Sequence, residues 1–238
     1  MVRRDGASAV LAVKVRVDRG GFAVDVDFEA PPGVTVLFGP SGSGKSTTLA
    51  AIAGLVRPHA GRIALGGEAW FDASARVDVA IEKRHVAFVF QSLALFPHMS
   101  ALANVMYGMS RALSKEERRA KAAALLARLG VGHLAGRGSR TFSGGEAQRV
   151  ALARAFAMSP RVVLMDEPFS AMDQKLRAEL LRDVRAFVDE LAVPLVFVTH
   201  HRGEARTLGD RGLLIDKGKI VKSGTIADVL PAEGERDA

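Results

Sequence analysis

Residues 34–53 constrain the fold more than any other stretch of this chain. Val34, Thr35, Val36, Leu37 and Phe38 make a short apolar run of the kind that fills a parallel sheet buried on both faces. Gly39-Pro40-Ser41-Gly42-Ser43-Gly44-Lys45-Ser46-Thr47 follows at once and satisfies G-x-x-x-x-G-K-[ST] at every fixed position. Lys45 to Ala53 then reads as a helix. Strand, glycine-rich turn and helix in that order give the pattern its physical meaning. Glycines let backbone N–H groups turn inward around phosphate oxygens, and the helix N-terminus adds its positive end. Lys45 can reach the β- and γ-phosphates of a nucleotide, and the Ser46 hydroxyl suits Mg²⁺.

A phosphate loop of this kind needs a second, carboxylate-bearing strand to hold the metal. Val162, Val163, Leu164 and Met165 supply a buried strand that ends in Asp166 and Glu167. Ligands collect at the C-terminal ends of strands in open α/β sheets. Asp166 is placed to orient Mg²⁺ through water, and Glu167 to polarise an attacking water as general base.

The rest of the chain organises around these two segments. Residues 10–17 and 22–28 are strand-like, and Asp18-Arg19-Gly20-Gly21 between them is a turn signal, so the pair reads as an antiparallel hairpin. Residues 63–65 and 86–90 are further strand candidates. From residue 100 to 157 the pattern turns helical, with Ser114-Lys115-Glu116-Glu117 resembling a capping box ahead of an Ala-rich run. After Pro160 strands at 162–165, 195–198 and 213–215, with a helix over 174–191, restore βαβ alternation. The fold class is α/β: one domain carrying an N-terminal antiparallel β part and a helical insertion.

Composition narrows the classes. Of 238 residues 48% are hydrophobic and 25% charged, with 24 Gly and 9 Pro, which is a globular profile. The chain has no cysteine, which excludes a disulfide scaffold, a thiolate nucleophile and a Cys-ligated zinc or iron–sulfur site. No run approaches the roughly 18 uninterrupted apolar residues of a membrane span. Residues 1–6 have neither an apolar core nor a cleavage site behind them, which argues against secretion. The net charge of +7 suits polyanions, but the basic residues are dispersed and form no tail, as on a solvated surface.

One further segment brings in a family. Thr141-Phe142-Ser143-Gly144-Gly145-Glu146-Ala147-Gln148-Arg149-Val150-Ala151-Leu152-Ala153-Arg154-Ala155, set between the phosphate loop and the acidic strand, resembles the signature motif of the ATP-binding cassette (ABC) ATPases. Ser143-Gly144-Gly145 opening a helix is itself a second phosphate cradle. The resemblance implies that ATP lies between one chain's phosphate loop and the signature of a second copy. It implies that Gln91 senses Mg²⁺ and the attacking water, that Ser170-Ala171-Met172-Asp173 is the D-loop, and that His200 contacts the γ-phosphate. It also asks for an aromatic against adenine, for which Phe22 is the first candidate and Phe28 the second; both could instead be core. His201, where many relatives carry Asp, is given no role.

The fold expected from the resemblance is a P-loop NTPase (ABC ATPase) core over residues 1–90 and 156–230, with the β subdomain. A helical signature subdomain spans 91–155, inserted between phosphate loop and acidic strand, and no C-terminal regulatory domain is expected. Leu95-Phe96-Pro97-His98-Met99-Ser100 and Asn104-Val105-Met106-Tyr107-Gly108 are similar to bacterial importer ATPases, so residues 91–100 are expected to receive the coupling helix of an integral membrane permease. The short hairpin, Glu82-Lys83-Arg84 and the Ser-Gly-Gly-Glu signature are similar to the molybdate, sulfate and tungstate group. The chain is therefore expected to be an ATPase subunit with ATP and Mg²⁺ as cofactors. It would act as a dimer on the cytoplasmic face of the membrane, served indirectly by a periplasmic or extracellular binding protein, with no nucleic acid partner. The alternatives are an importer of polyamine, iron or sugar, or a non-transport ABC ATPase working on nucleic acid or ribosomes.

Overall fold

The computed structural model describes residues 9–231 except Ala171. Residues 1–6, the charged tail at 233–237 and Ala171 of the 170–173 segment lie outside the described residues. The elements in chain order are β1 (Leu11–Arg19), β2 (Phe22–Ala30), β3 (Gly33–Phe38), α1 (Lys45–Ala53), β4 (Ala60–Leu65), β5 (Glu68–Asp72), β6 (Val77–Asp78), α2 (Ile81–Arg84) and β7 (Val86–Val89). They continue with α3 (Ala101–Tyr107), α4 (Lys115–Arg128), α5 (Gly144–Ala157), β8 (Val162–Asp166), α6 (Gln174–Leu191), β9 (Pro194–Val198), α7 (Arg202–Leu208), β10 (Arg211–Asp216), β11 (Lys219–Thr225) and α8 (Ile226–Val229).

The described strands join in one sheet of order β6-β5-β4-β1-β2-β11-β10-β3-β9-β8-β7. One end is antiparallel: β1 pairs with β2 and β4, and β5 with β4 and β6. The other end is parallel, β10 with β3, β3 with β9, β9 with β8 and β8 with β7. β11 bridges the two, antiparallel to β10 and parallel to β2. The expected hairpin is present, each strand running two residues further than its pattern suggested.

Alternation along the central strands divides the interior into two cores. Val34, Val36, Leu195 and Phe197 face one of them, shared with the helices α3 to α7. Leu37, Val196 and Val198 face the other, which they share with α1 and with Val13, Val15, Val24 and Val26 of the antiparallel arm. α1 is thus wedged between the parallel sheet and the arm. This explains its sequence: Lys45, Thr48, Leu49, Ala51, Ile52 and Ala53 are all buried, and beyond its first turn, where Ser46 is exposed, the helix needs no polar stripe. α6 is the contrasting case, burying Leu180, Leu181, Val184, Phe187 and Val188 on one face and leaving the rest half-buried or exposed.

The helical stretch breaks into α3, α4 and α5. Ser114 caps α4 by accepting from Glu117 N while the Glu117 side chain accepts from Ser114 N, as its sequence implied. β5, β6 and β11 were not legible in the pattern. β11 is exposed along most of its length and carries no hydrophobic alternation.

Candidate functional site

The parallel order β3-β9-β8-β7 places four loops side by side at the strands' C-terminal ends, which is where the sequence-read residues sit. After β3 the chain enters the phosphate loop. Gly39, Gly42 and Gly44 all have positive φ, and at Gly44 (φ 105°) a Cβ would meet Val24 Cγ2 at 2.7 Å. At Gly42 (φ 77°) a Cβ would meet nothing, because that face of the loop is open. Below the loop, Gly218 of the β10–β11 turn donates to Ser43 O at 2.9 Å. That glycine (φ 80°) is pressed so close to β2 that a Cβ would fall 2.0 Å from Ala23 O. It was not singled out from sequence, although Asp216-Lys217-Gly218 is a turn signal.

Lys45 is 6% exposed and donates from Nζ to Gly39 O at 2.9 Å and Pro40 O at 2.8 Å. Burial pushes its pKa down, while the charges of Glu167 and Asp166 pull it up. A buried cation over an open glycine loop fits an anionic ligand, since a phosphate oxygen can take over from the carbonyls with a full charge behind it. Ser43 Oγ is buried there with no protein partner. The donor set therefore fits a nucleotide.

β8 ends in Asp166, and burial holds its carboxyl above the ordinary range, with Glu167 pushing the same way and Ser46 and Lys45 opposing. Glu167 follows with φ 45°, a left-handed conformation that costs a non-glycine residue energy and is retained where surroundings over-determine it. Its amide donates to Val198 O at 3.0 Å, which ties the turn to β9. β9 then delivers His200, whose Nδ1 lies 3.0 Å from Glu167 Oε2. Gln91 comes from the end of β7.

Phe22, Ser41, Gly42, Gly44, Lys45, Ser46, Thr47, Gln91 and Glu167 line a single cleft of about 400 Å³. Phe22 stands at its edge, 36% exposed, whereas Phe28 is 7% exposed in the core. Among the described residues no cluster of three or more His, Cys, Asp or Glu side chains could hold a metal. That suits Mg²⁺, which is commonly held by one or two protein oxygens, waters and substrate phosphates. The available oxygens are those of Ser46, Gln91 and Asp166.

The signature residues are elsewhere. Ser143, Gly144 and Gly145 do not line the cleft. Ser143 caps α5, accepting from Glu146 N at 3.3 Å, while its own amide donates to Glu146 Oε2 at 2.7 Å. The amides of Gly144 and Gly145 stand in the first turn, beyond the reach of any intrahelical acceptor. Gly145 packs on α6, where a Cβ would meet Leu176 Cδ2 at 2.5 Å, but at Gly144 a Cβ would meet nothing. Asp173 caps α6, accepting from Leu176 N at 3.0 Å, and also lies outside the cleft lining.

A sheet of this order, a phosphate loop on a buried helix, and a carboxylate and histidine facing each other at adjacent strand ends define a P-loop cassette of the ABC class. The ABC transporter family model matches residues 24–170, and the chain belongs to that family. It is 42% identical over 221 residues to the molybdenum import ATP-binding protein ModC 1 of Azotobacter vinelandii, covering 92% of this chain and 61% of that one. It is 43% identical over 218 residues to ModC of Methylococcus capsulatus, covering 91% and 60%. The chain thus spans about three fifths of the length of these relatives. Among solved structures it resembles the dimeric bacterial ABC transporter cassette MJ0796, with TM-score 0.77, 28% identity and 91% and 98% of the two chains covered. The same cassette in a dimeric post-hydrolysis state bound to ADP and Pi matches with TM-score 0.77 at 29% identity.

Proposed function

We propose that this chain is the ATP-hydrolysing subunit of an ABC importer, for molybdate or a related oxyanion such as sulfate or tungstate. The observation that carries the ATPase reading is the cleft itself: a buried lysine, an open glycine loop, Gln91 and a histidine-paired glutamate line one space, with the strand-end Asp166 hydrogen-bonded to Ser46 behind it. The loop amides and Lys45 bind the phosphates. Ser46, Gln91 and Asp166 would hold Mg²⁺, which would supply charge neutralisation for the phosphates. Glu167 takes a proton from the attacking water at its carboxylate, and its strained backbone holds that carboxylate toward the cleft. His200, already 3.0 Å from Glu167, completes the γ-phosphate side.

Ser143, Gly144 and Gly145 lie outside this chain's cleft with helix-tip amides to offer, which supports their serving the nucleotide of a second copy. ATP that bridges two copies binds the closed dimer better than the open one, and its hydrolysis releases the closure, which is what driving a conformational cycle requires. A groove of about 210 Å³ lined by Ser92, Leu93, Leu95, Pro97, Ser139, Arg140 and Ala147 supports a permease socket. It is firmly built. Arg154 donates to Ala94 O and Leu93 O at 2.7 and 2.8 Å, and buried Asn104 both accepts from Phe96 N and donates to Phe96 O. Among the described residues no helix is long and apolar enough to cross a membrane. Peripheral attachment to the cytoplasmic face, through a permease, accords with that. The names of the relatives support the oxyanion.

The test uses Glu167→Gln. It is expected to retain nucleotide and to lower hydrolysis by about two to four orders of magnitude, the usual contribution of a general base. Captured with Mg-ATP from detergent-solubilised native membranes, it should bring down a polytopic permease. Hydrolysis at the wild-type rate would remove the role given to Glu167. Recovery of nucleic acid or ribosomal components alone would move the protein to the non-transport ABC ATPases.

A further inference from the structure

Glu204 stands in the first turn of α7 and is 2% exposed. A carboxylate is kept at such depth only when it is paired and hydrogen-bonded. Its Oε2 accepts a 2.6 Å bond from Thr199 Oγ1. Its Oε1 lies 3.3 Å from Arg177 Nε, opposite charges in contact without hydrogen-bond alignment. Each partner then holds a second group. Thr199, 1% exposed, accepts the His201 amide at 3.0 Å. Arg177, in the first turn of α6, donates to Met172 O at 2.7 Å.

A continuous line of polar contacts therefore runs from Met172 O through Arg177, Glu204 and Thr199 to His201 N. One end adjoins the site and the other holds the segment expected to be the D-loop. Met172 precedes Asp173, and the His201 amide closes the turn that carries His200 against Glu167. None of the three side chains lines the cleft. A buried ion pair is weak evidence for stability, because apolar side chains of similar size commonly replace one at no loss. What this one does provide is a shared, fixed anchor for two loops that leave different strands.

We propose that Arg177, Glu204 and Thr199 are positioning residues for hydrolysis, clamping the His200 turn and the Met172–Asp173 backbone to one buried carboxylate. The idea rests on the ATPase reading above. Its effect falls on the chemical step and not on nucleotide binding, because the phosphate loop touches none of the three.

The experiment compares wild type with Glu204→Gln, Thr199→Val and the double variant Arg177→Met with Glu204→Met. It measures kcat and KM for ATP, Tm, and hydrogen exchange of the His201 amide. Glu204→Gln and Thr199→Val should lower kcat by about ten- to a hundredfold, the range typical of groups that orient a reacting side chain, with KM moving less than about threefold. His201 exchange should quicken in both. The double variant should regain a wild-type Tm while kcat stays low, a split that a merely structural pair would not produce. A kcat within about twofold of wild type in the folded single variants overturns the proposal. So does recovery of kcat alongside Tm in the double variant, or unchanged His201 exchange. Should Glu204→Gln fail to fold, Thr199→Val reads the same arm. Should wild type hydrolyse no ATP, the ATPase reading fails while the exchange measurement still decides whether the clamp exists.

Discussion

Arg84 provides a sharp test of how the phosphate-loop helix is held. The sequence presents it within Glu82-Lys83-Arg84, a charged run that looks solvent-facing, yet its side chain is 1% exposed. Nη1 donates to Ala51 O at 3.2 Å and Ile52 O at 2.9 Å, the last turn of α1. Nε donates to Val79 O at 2.9 Å, and Nη2 reaches Trp70 O at 3.4 Å and Asp78 Oδ1 at 3.2 Å. A cation on the negative end of a helix dipole is favourable, and Gly54 (φ 86°) leaves the room, since a Cβ there would sit 2.9 Å from Arg84 Cζ. Arg84→Met removes the donors and leaves the buried carbonyls of Ile52, Val79 and Trp70 short of a partner, whereas Asp78, 38% exposed, keeps Arg57 Nε at 3.4 Å. At about 1–3 kcal/mol for each buried acceptor left unmet, the loss comes to about 4 kcal/mol, which for a chain of this size lowers Tm by about 8–16 °C. Arg84→Lys keeps the charge without the planar fork and should fall between. Circular dichroism melts would measure this, with nucleotide titration well below the transition as the control, where affinity should hold because Lys45 lies at the other end of α1. A Tm loss under about 3 °C for Arg84→Met would refute the reasoning.

Phe22→Ala should weaken nucleotide binding about tenfold with Tm unchanged, since a base–aromatic stack contributes about 1–3 kcal/mol. Phe28→Ala should do the reverse, costing about 3–5 kcal/mol of core stability, and the pair of titrations and melts separates the two aromatics. Hydrogen bonds from the Ser143 and Ser114 backbones, and for Asp228 from the Thr225 hydroxyl first and its backbone second, hold the carboxyls of Glu146, Glu117 and Asp228 below their ordinary 4.5, 4.5 and 3.8. Their capping contribution is therefore complete above those values and lost as pH falls through the depressed ones. The Tm advantage of wild type over the Gln, Gln, Asn variant should be flat at neutral pH and vanish in acid. Gly144→Ala meets no atom of its own chain, so it should fold as wild type yet impair hydrolysis and ATP-dependent dimerisation; full activity in a phosphate-release assay would remove the signature from the site.

What the sequence disclosed and what it hid follow from the range of the interactions. α1 and α6 were legible to the residue because their limits are local: a glycine loop before one, an Asp cap before the other. The strand ends bearing Asp166, Glu167 and His200 were legible as buried apolar runs. The order β3-β9-β8-β7, which sets those ends side by side, is a product of packing and has no local signature. Buried charges were hidden for the same reason. Glu204 in a first helical turn reads as a dipole-complementing surface acid, and the charge that offsets its burial, Arg177, lies 27 positions away. Arg84 depends on carbonyls 32 and 33 positions back. Periodicity detects faces that are apolar and cannot detect a polar side chain whose partners are brought by a sheet.

The two parts of the site are joined through α6. Arg149, in the signature helix α5, pairs with Glu179 at 2.9 Å and Asp183 at 3.3 Å on α6 and donates to Leu129 O at 3.2 Å. The first turn of α6 holds Leu176 under Gly145, and Arg177 against Glu204. The helix that buttresses the signature is therefore the helix whose first turn anchors the His200 loop. A second copy bearing on Ser143 and Gly144 would load α6, whose first turn reaches the turn that carries His200 through Arg177, Glu204 and Thr199. Variants of Arg149 bear on the same argument. Loss of its two carboxylate partners should loosen α5 from α6 while leaving the cleft residues and nucleotide affinity of the isolated chain in place. Hydrolysis should then fall through dimer closure, with a steeper dependence of rate on protein concentration than in wild type.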